Sequence, residues 1–133
     1  MKKQSTSLTL LILGLALLTG PAKPAQADID AGSVQELLSG DGEAHDSFGA
    51  SVAVSGDTAL VGAAHDDNAT GAAYVFVRSG DDWAEQQKLI AEDCMVGDSF
   101  GFSVVVSGNT AVVGAPWTDT GEVYVFTRSG DLW

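Results

Sequence analysis

Short apolar runs separated by glycine-containing turns recur along this chain. Residues 50–54 and 58–63 are apolar and rich in β-branched side chains, and a Gly-Asp pair lies between them. Such a pair between apolar runs is typical of a two-residue hairpin, because the turn needs positive φ. Residues 72–77 form a third apolar run, and residues 83–90 are more polar, as suits an outer edge strand. No segment keeps a helical period over three turns. The pattern predicts four antiparallel strands.

This four-stranded unit is repeated. The motif DSFG at residues 46–49 returns at residues 98–101, an offset of 52, and YVFVRSGD at residues 74–81 returns 50 residues later as YVFTRSGD. Upstream, QELL at residues 35–38 corresponds to QKLI at residues 87–90. An all-β antiparallel repeat of about 50 residues is typical of a β-propeller blade.

The first residues have the features of an export signal. Two lysines precede an apolar run at residues 8–18, and AQA at residues 25–27 fits a small-x-small cleavage site. The run is shorter than the roughly 20 residues of a membrane-spanning helix. We therefore predict a signal peptide over residues 1–27 with cleavage after Ala27, a secreted, periplasmic or cell-envelope location, and no membrane span in the processed chain.

The remaining chain is predicted to hold about two blades. We assign residues 28–45 to an N-terminal segment with an outer strand at residues 34–38. Residues 46–97 form the first repeat, and residues 98–133 form a second repeat that lacks its last strand. Because a closed ring takes about four to eight blades, the ring would be incomplete. The expected explanations are a fragment of a longer propeller protein or self-assembly of several chains.

The two units resemble FG-GAP repeats, the blades of integrin-α-like β-propellers, in their bacterial exported form. Ala64 stands where the first unit would carry the family's proline. The resemblance implies a propeller used for adhesion and interaction outside the cytoplasm. It is carried by nine residues: Phe48, Gly49, Gly62 and Ala63 in the first unit, and Phe100, Gly101, Gly114, Ala115 and Pro116 in the second.

The stretch GDSFG at residues 97–101 also fits the G-x-S-x-G pattern of a nucleophile elbow. An elbow needs a helix after the serine, whereas a strand is predicted there. The serine recurs as Ser47 and Ser99, and neither copy has an evident base, because His45 and His65 have no equivalents in the second repeat. We therefore predict no catalytic residues and no enzyme activity.

Each residue of the DSFG motif has a structural role that its chemistry suggests. The Phe is expected to pack between blades, and the Gly to allow a tight turn or the close approach of another backbone. The Ser and Asp side chains are expected to accept hydrogen bonds from backbone N–H groups of the turn.

The loop at residues 65–71, HDDNATG, is a candidate calcium site. Its spacing matches the start of a D-x-[DN]-x-[DN]-G loop, but the twelfth position is Val77 in place of a bidentate glutamate. The connection between the first two strands, where integrin-like blades can hold calcium, is too short here. Calcium at Asp66, Asp67 and Asn68 is therefore one hypothesis and a plain Asx-rich turn is the other. No other cofactor is expected.

The charge of the chain bears on its partners. The formal net charge is −12, and all 18 acidic residues follow the signal peptide. Such a surface disfavours nucleic acid and anionic membranes. The single cysteine, Cys94, excludes an internal disulfide and is expected to be a half-buried free thiol. Trp117, which replaces His65 of the first repeat, is a candidate ligand contact, with core packing as the alternative.

These features together predict an exported, acidic, non-catalytic propeller repeat protein that mediates binding or adhesion to a protein or glycan. The alternative is a truncated product or a fragment of a larger propeller protein, attached to an enzyme or not, without a function of its own.

Overall fold

The computed structural model describes residues 34–133, and the predicted signal peptide lies outside them. In this part of the chain seven strands form two antiparallel sheets, one in the order β1-β2-β3-β4 and the other in the order β5-β6-β7. The predicted all-β class with partial propeller blades is therefore confirmed. The strands are β1 (Phe48–Ser55), β2 (Thr58–Ala63), β3 (Ala72–Ser79), β4 (Asp82–Leu89), β5 (Ser103–Ser107), β6 (Thr110–Ala115) and β7 (Glu122–Thr127).

The hairpins follow the sequence pattern. Ser55 pairs with Thr58 and Ser107 pairs with Thr110, so both first connections are two-residue turns. Between β2 and β3 the chain makes one short helical turn, α1 (Asp66–Ala69). Within the described residues no helix is long and apolar enough to cross a membrane.

The outer strand predicted at residues 34–38 is not formed, since these residues belong to no strand. An outer strand needs the free edge of a third strand, and the edge of β3 is already occupied by β4. The segment is attached through a side chain instead. The Gln35 amide donates to the Trp83 carbonyl and accepts from the Trp83 N–H, both at 2.8 Å. Gln87 makes the same pair of bonds to Trp133, so residue 35 does correspond to residue 87.

Each face of the first sheet carries a cluster of apolar side chains. On one face, Leu60, Val75 and Leu89 pack against Val106 and Val113 of the second sheet. On the other face, a cluster around Tyr74 and Phe76 is covered in part by Leu37 and Phe48.

Candidate functional site

Phe100 of the second DSFG motif lies in the core between the two sheets. It is fully buried, and its ring makes edge-to-face contacts with Tyr124 and Phe126, at centroid distances of 5.4 and 6.0 Å. Phe48 contacts Tyr74 and Phe76 in the same way. The position of Phe100 agrees with the expectation that the aromatic residue of the motif packs between blades.

The aspartate of the motif closes a turn in both repeats. Asp46 Oδ2 accepts a hydrogen bond from the Glu43 N–H, and Asp98 Oδ2 accepts one from the Met95 N–H. Both carboxylates are nearly buried. Charge-assisted bonds of this kind are stronger than neutral ones, so the aspartate holds the chain in place just before the Phe.

The glycine of the motif permits backbone contact between the sheets. Gly101 has φ +88°, and a Cβ at this position would lie 2.1 Å from the Ala72 carbonyl oxygen. Gly62 approaches from the other side, since a Cβ there would lie 2.0 Å from the Gly101 carbonyl oxygen. The Ser51 hydroxyl also donates to that oxygen at 2.7 Å. No larger residue fits this contact without movement of the backbone.

The serines of the motif differ from expectation. Ser47 Oγ lies 2.7 Å from His65 Nδ1, in an exposed pair, so the expectation that no histidine stands beside the serine is wrong for the first repeat. The His65 ring reaches Ser47 because the backbone N–H of His65 donates a hydrogen bond to the backbone carbonyl of Asp46. Ser99 has no such partner, because Trp117 occupies the equivalent position. Both serines have positive φ, 59° and 57°, which marks them as turn residues.

A partly buried ionic cluster lies next to this turn in the first repeat. Lys88 Nζ is 2.6 Å from Asp66 Oδ2 and 2.7 Å from Asp41 Oδ2. The Tyr74 hydroxyl is 2.8 Å from Asp41 Oδ1 and 3.0 Å from Asp66 Oδ2, and the ammonium lies over the Tyr74 ring. The second repeat keeps one part of this arrangement, since the Tyr124 hydroxyl is 2.9 Å from Asp93 Oδ1.

The cluster shifts the pKa values of Lys88, Tyr74 and Asp41. Burial lowers the pKa of Lys88. The hydrogen bonds to Asp41 and Asp66 raise it by more than burial lowers it, so the net shift is upward. Burial and the bond to Asp41 raise the pKa of Tyr74, while the bonds from Lys88 and Tyr74 lower the pKa of Asp41. The Lys88 ammonium therefore stays charged at neutral pH and compensates the two carboxylates.

The calcium hypothesis concerns a polar cleft of about 790 Å³ lined by residues 41, 43–46 and 65–68. One of its proposed ligands, Asp66, is buried and already paired with Lys88, which argues against its use as a calcium ligand. Asp67 and Asn68 have left-handed backbone angles and shape the turn. No three His, Cys, Asp or Glu side chains in residues 34–133 converge to hold a metal ion. Calcium at this loop stays a prediction.

Trp117 lies on the surface. It is 65% exposed and makes an edge-to-face contact with Phe102, which is 54% exposed, at a centroid distance of 6.3 Å. We call these two residues the aromatic pair. The first repeat has Ala50 and His65 at the equivalent positions, so the pair belongs to the second repeat alone. Within residues 34–133 Trp117 does not pack in the core.

Cys94 is half-buried as a free thiol, as expected. Burial raises the pKa of the thiol, and its Sγ lies 3.6 Å from the Tyr124 hydroxyl. A raised pKa keeps the thiol protonated and poorly reactive.

The repeats seen in the fold match a known family model. The model described as "FG-GAP repeat" matches residues 31–76 and 83–126, which is more than half of the chain. The chain belongs to the FG-GAP repeat family. A search of curated proteins gives no match. Within the FG-GAP repeats, the two sheets correspond to one four-stranded and one three-stranded propeller blade, and the sheets do not close on each other.

Sequence reasoning about the FG-GAP repeats missed three parts of the site. It did not find Phe102, the Lys88 cluster, or the hydrogen bond between Ser47 and His65. One signal was present in the sequence, because Asp41 and Tyr74 recur as Asp93 and Tyr124 at the offsets of 52 and 50. A polar residue that recurs together with a buried tyrosine points to a bond between them.

Proposed function

We propose that this FG-GAP repeat protein is a non-catalytic binding or adhesion module that acts at the cell envelope or outside the cell. The observation that carries the proposal is the aromatic pair. An exposed tryptophan braced by a second aromatic ring presents a large, rigid apolar surface at low entropic cost, and such residues dominate the energy of many binding sites. The pair also departs from the repeat, as a ligand-specific feature grafted on a repeated scaffold would.

The absence of an enzymatic role is part of the same proposal. The Ser47–His65 pair is exposed, and the described residues supply no acidic partner hydrogen-bonded to the other ring nitrogen of His65. A catalytic serine requires a base that is itself oriented by a third group. We assign the pair to the turn that starts the blade.

The ligand is a protein or a glycan that offers a flat apolar or sugar-ring face to the aromatic pair. The net charge of −12 favours a partner that is neutral or basic. The predicted signal peptide supports an extracytoplasmic site of action.

The test is binding of the full chain to printed panels of oligosaccharides and peptides, compared with Trp117→Ala and Phe102→Ala. Met95→Ala is the matched control, because Met95 is an equally exposed apolar residue outside the aromatic pair. Loss of a central aromatic contact costs about 2 kcal/mol, or roughly thirtyfold in affinity. Each aromatic variant should show this loss and the control should not. A ligand that binds all four proteins equally would refute the assignment of the aromatic pair.

A further inference from the structure

One face of the second sheet is apolar and exposed. Val105, Val123 and Val125 point to this face and are 54%, 67% and 65% exposed. Their equivalents in the first sheet are Ala53, Ala73 and Val75. Ala73 and Val75 are fully buried, because they lie in the core between the two sheets. We call the exposed valines of the second sheet the leading face.

The first sheet also has exposed apolar side chains, on the face that points away from the second sheet and on its first strand, β1. Val52 and Val54 on β1 are 66% and 65% exposed. Their equivalents on β5 are Val104 and Val106, which pack in the core between the sheets, and Val106 is only 6% exposed. We call Val52 and Val54 the trailing face. The chain therefore carries both halves of the interface that joins its own two sheets, each half unpartnered in the described residues.

The backbone at the open faces is also prepared for this contact. Within the chain, Gly62 and Gly101 let two backbones approach closely. Their equivalents are Gly114 near the leading face and Gly49 near the trailing face. A Cβ on Gly49 would meet nothing within 4 Å, and a Cβ on Gly114 would meet only Ser103. The space filled by a neighbouring backbone in the internal interface is empty in both places.

A strand edge completes the correspondence. β7 is the edge of the second sheet, and the described residues supply no fourth strand beside it. Residues 35–38 correspond to residues 87–90, at the end of β4, but pair with no strand. In the first sheet, β4 pairs with β3 and its Gln87 bonds to the next repeat. Residues 35–38 already make the equivalent side-chain bond to the following repeat, through Gln35. They lack only the pairing with a third strand.

We propose that the leading face of one copy of this chain binds the trailing face of a second copy, head to tail, and that residues 35–38 of the second copy add to the free edge of β7. The contact repeats the internal interface between the two sheets. It is heterologous, so copies related by the same rotation continue until the ring closes. The strand added across the contact turns a three-stranded blade into a four-stranded one.

The experiment measures the mass of the full chain in solution by sedimentation velocity over a range of concentrations. Three variants carry the same change at exposed valines: Val125→Glu blocks the leading face, Val54→Glu blocks the trailing face, and Val96→Glu, outside both faces and 71% exposed, is the control. All three positions are solvent-exposed, and a thermal melt of each variant verifies that the fold is kept.

We expect the wild type and Val96→Glu to form closed oligomers, and Val125→Glu and Val54→Glu to be monomers, with association weakened at least tenfold. A mixture of the two monomeric variants should form a one-to-one dimer, because one copy keeps an intact leading face and the other an intact trailing face. Because the copies carry charge of the same sign, association should strengthen as salt rises.

Three results would overturn the proposal. The first is a wild type that stays monomeric at all concentrations, which would assign the faces to another occupant such as a further repeat. The second is a dimer that both variants abolish and their mixture does not restore, which would indicate a symmetric contact. The third is equal disruption by Val96→Glu, which would indicate non-specific association.

Discussion

Replacing a glycine of the DSFG motif by alanine can destabilise the fold in two ways: the side chain disfavours positive φ, and its Cβ can collide with the backbone of the other blade. The two copies of the motif allow these two costs in unfolding free energy to be measured separately. Gly49 and Gly101 occupy equivalent positions and have the same φ of +88°. A Cβ on Gly49 meets nothing within 4 Å, whereas a Cβ on Gly101 lies 2.1 Å from the Ala72 carbonyl oxygen. Substitution by alanine therefore imposes the same conformational penalty at both sites and a steric penalty at only one.

The expected losses of unfolding free energy follow from the conformational and the steric penalty. An L-residue held at positive φ costs roughly 1–2 kcal/mol, which is the whole expected loss for Gly49→Ala. Forced overpacking of a close contact adds about 1–3 kcal/mol, so Gly101→Ala should lose about 2–5 kcal/mol of unfolding free energy. Gly62→Ala, at a position with ordinary φ and a Cβ contact of 2.0 Å, should show the steric term alone.

The assay is urea denaturation followed by tryptophan fluorescence, at low protein concentration so that contacts between copies do not contribute. The slope of the free energy against urea should be the same for all variants, so that the midpoints report stability alone. If Gly49→Ala and Gly101→Ala lose the same free energy, the two backbones do not touch as described, and the role assigned to the glycine of the motif is wrong.

The remaining predictions concern side chains. Lys88→Met should cost about 3–5 kcal/mol, because it leaves the buried Asp66 carboxylate uncompensated, and adding Asp66→Asn should recover much of this loss in urea denaturation. The raised pKa values of Lys88 and Tyr74 add stability that is complete below about pH 10, their unfolded range, and is lost as pH rises further. Melting temperatures between pH 10 and 12 should therefore fall more steeply for wild type than for Lys88→Met, and equal slopes would contradict the shift. Phe100→Ala should cost about 3–5 kcal/mol, more than Phe48→Ala, since Phe48 is partly exposed; a larger loss at Phe48 in thermal denaturation would contradict the packing described.

The sequence was informative about the fold because the repeat supplied an internal comparison. The hairpin turns and β2 (Thr58–Ala63) lie where the apolar pattern places them, since a continuous apolar run and a Gly-Asp turn are local signals. The packing role of Phe100 followed from its recurrence. The strand predicted at residues 34–38 is not formed within the described chain, because its pairing depends on a free sheet edge that the local pattern cannot supply.

The side-chain constellations were less predictable because they join loops that are distant in sequence. Lys88 meets Asp41 across 47 residues, and nothing in either local stretch indicates the contact. His65 reaches Ser47 only because the turn after β2 folds back on the motif. The exposure of Trp117 depends on where the second sheet ends relative to its neighbour, which composition does not report.

The left-handed turn at residues 67–69 has a consequence for motion. The carbonyl at its end, Ala69, accepts backbone hydrogen bonds from Gly97 and Ser99, at 3.1 and 2.8 Å, and the carbonyl of the next residue, Thr70, accepts one from Phe100 at 3.0 Å. Ser99 and Phe100 are buried, so solvent reaches these two amides only when the two sheets separate. Their hydrogen-exchange rates thus report every opening that breaks the contact between the blades, and exchange faster than that of amides inside the strands would indicate that the blades part without either one unfolding.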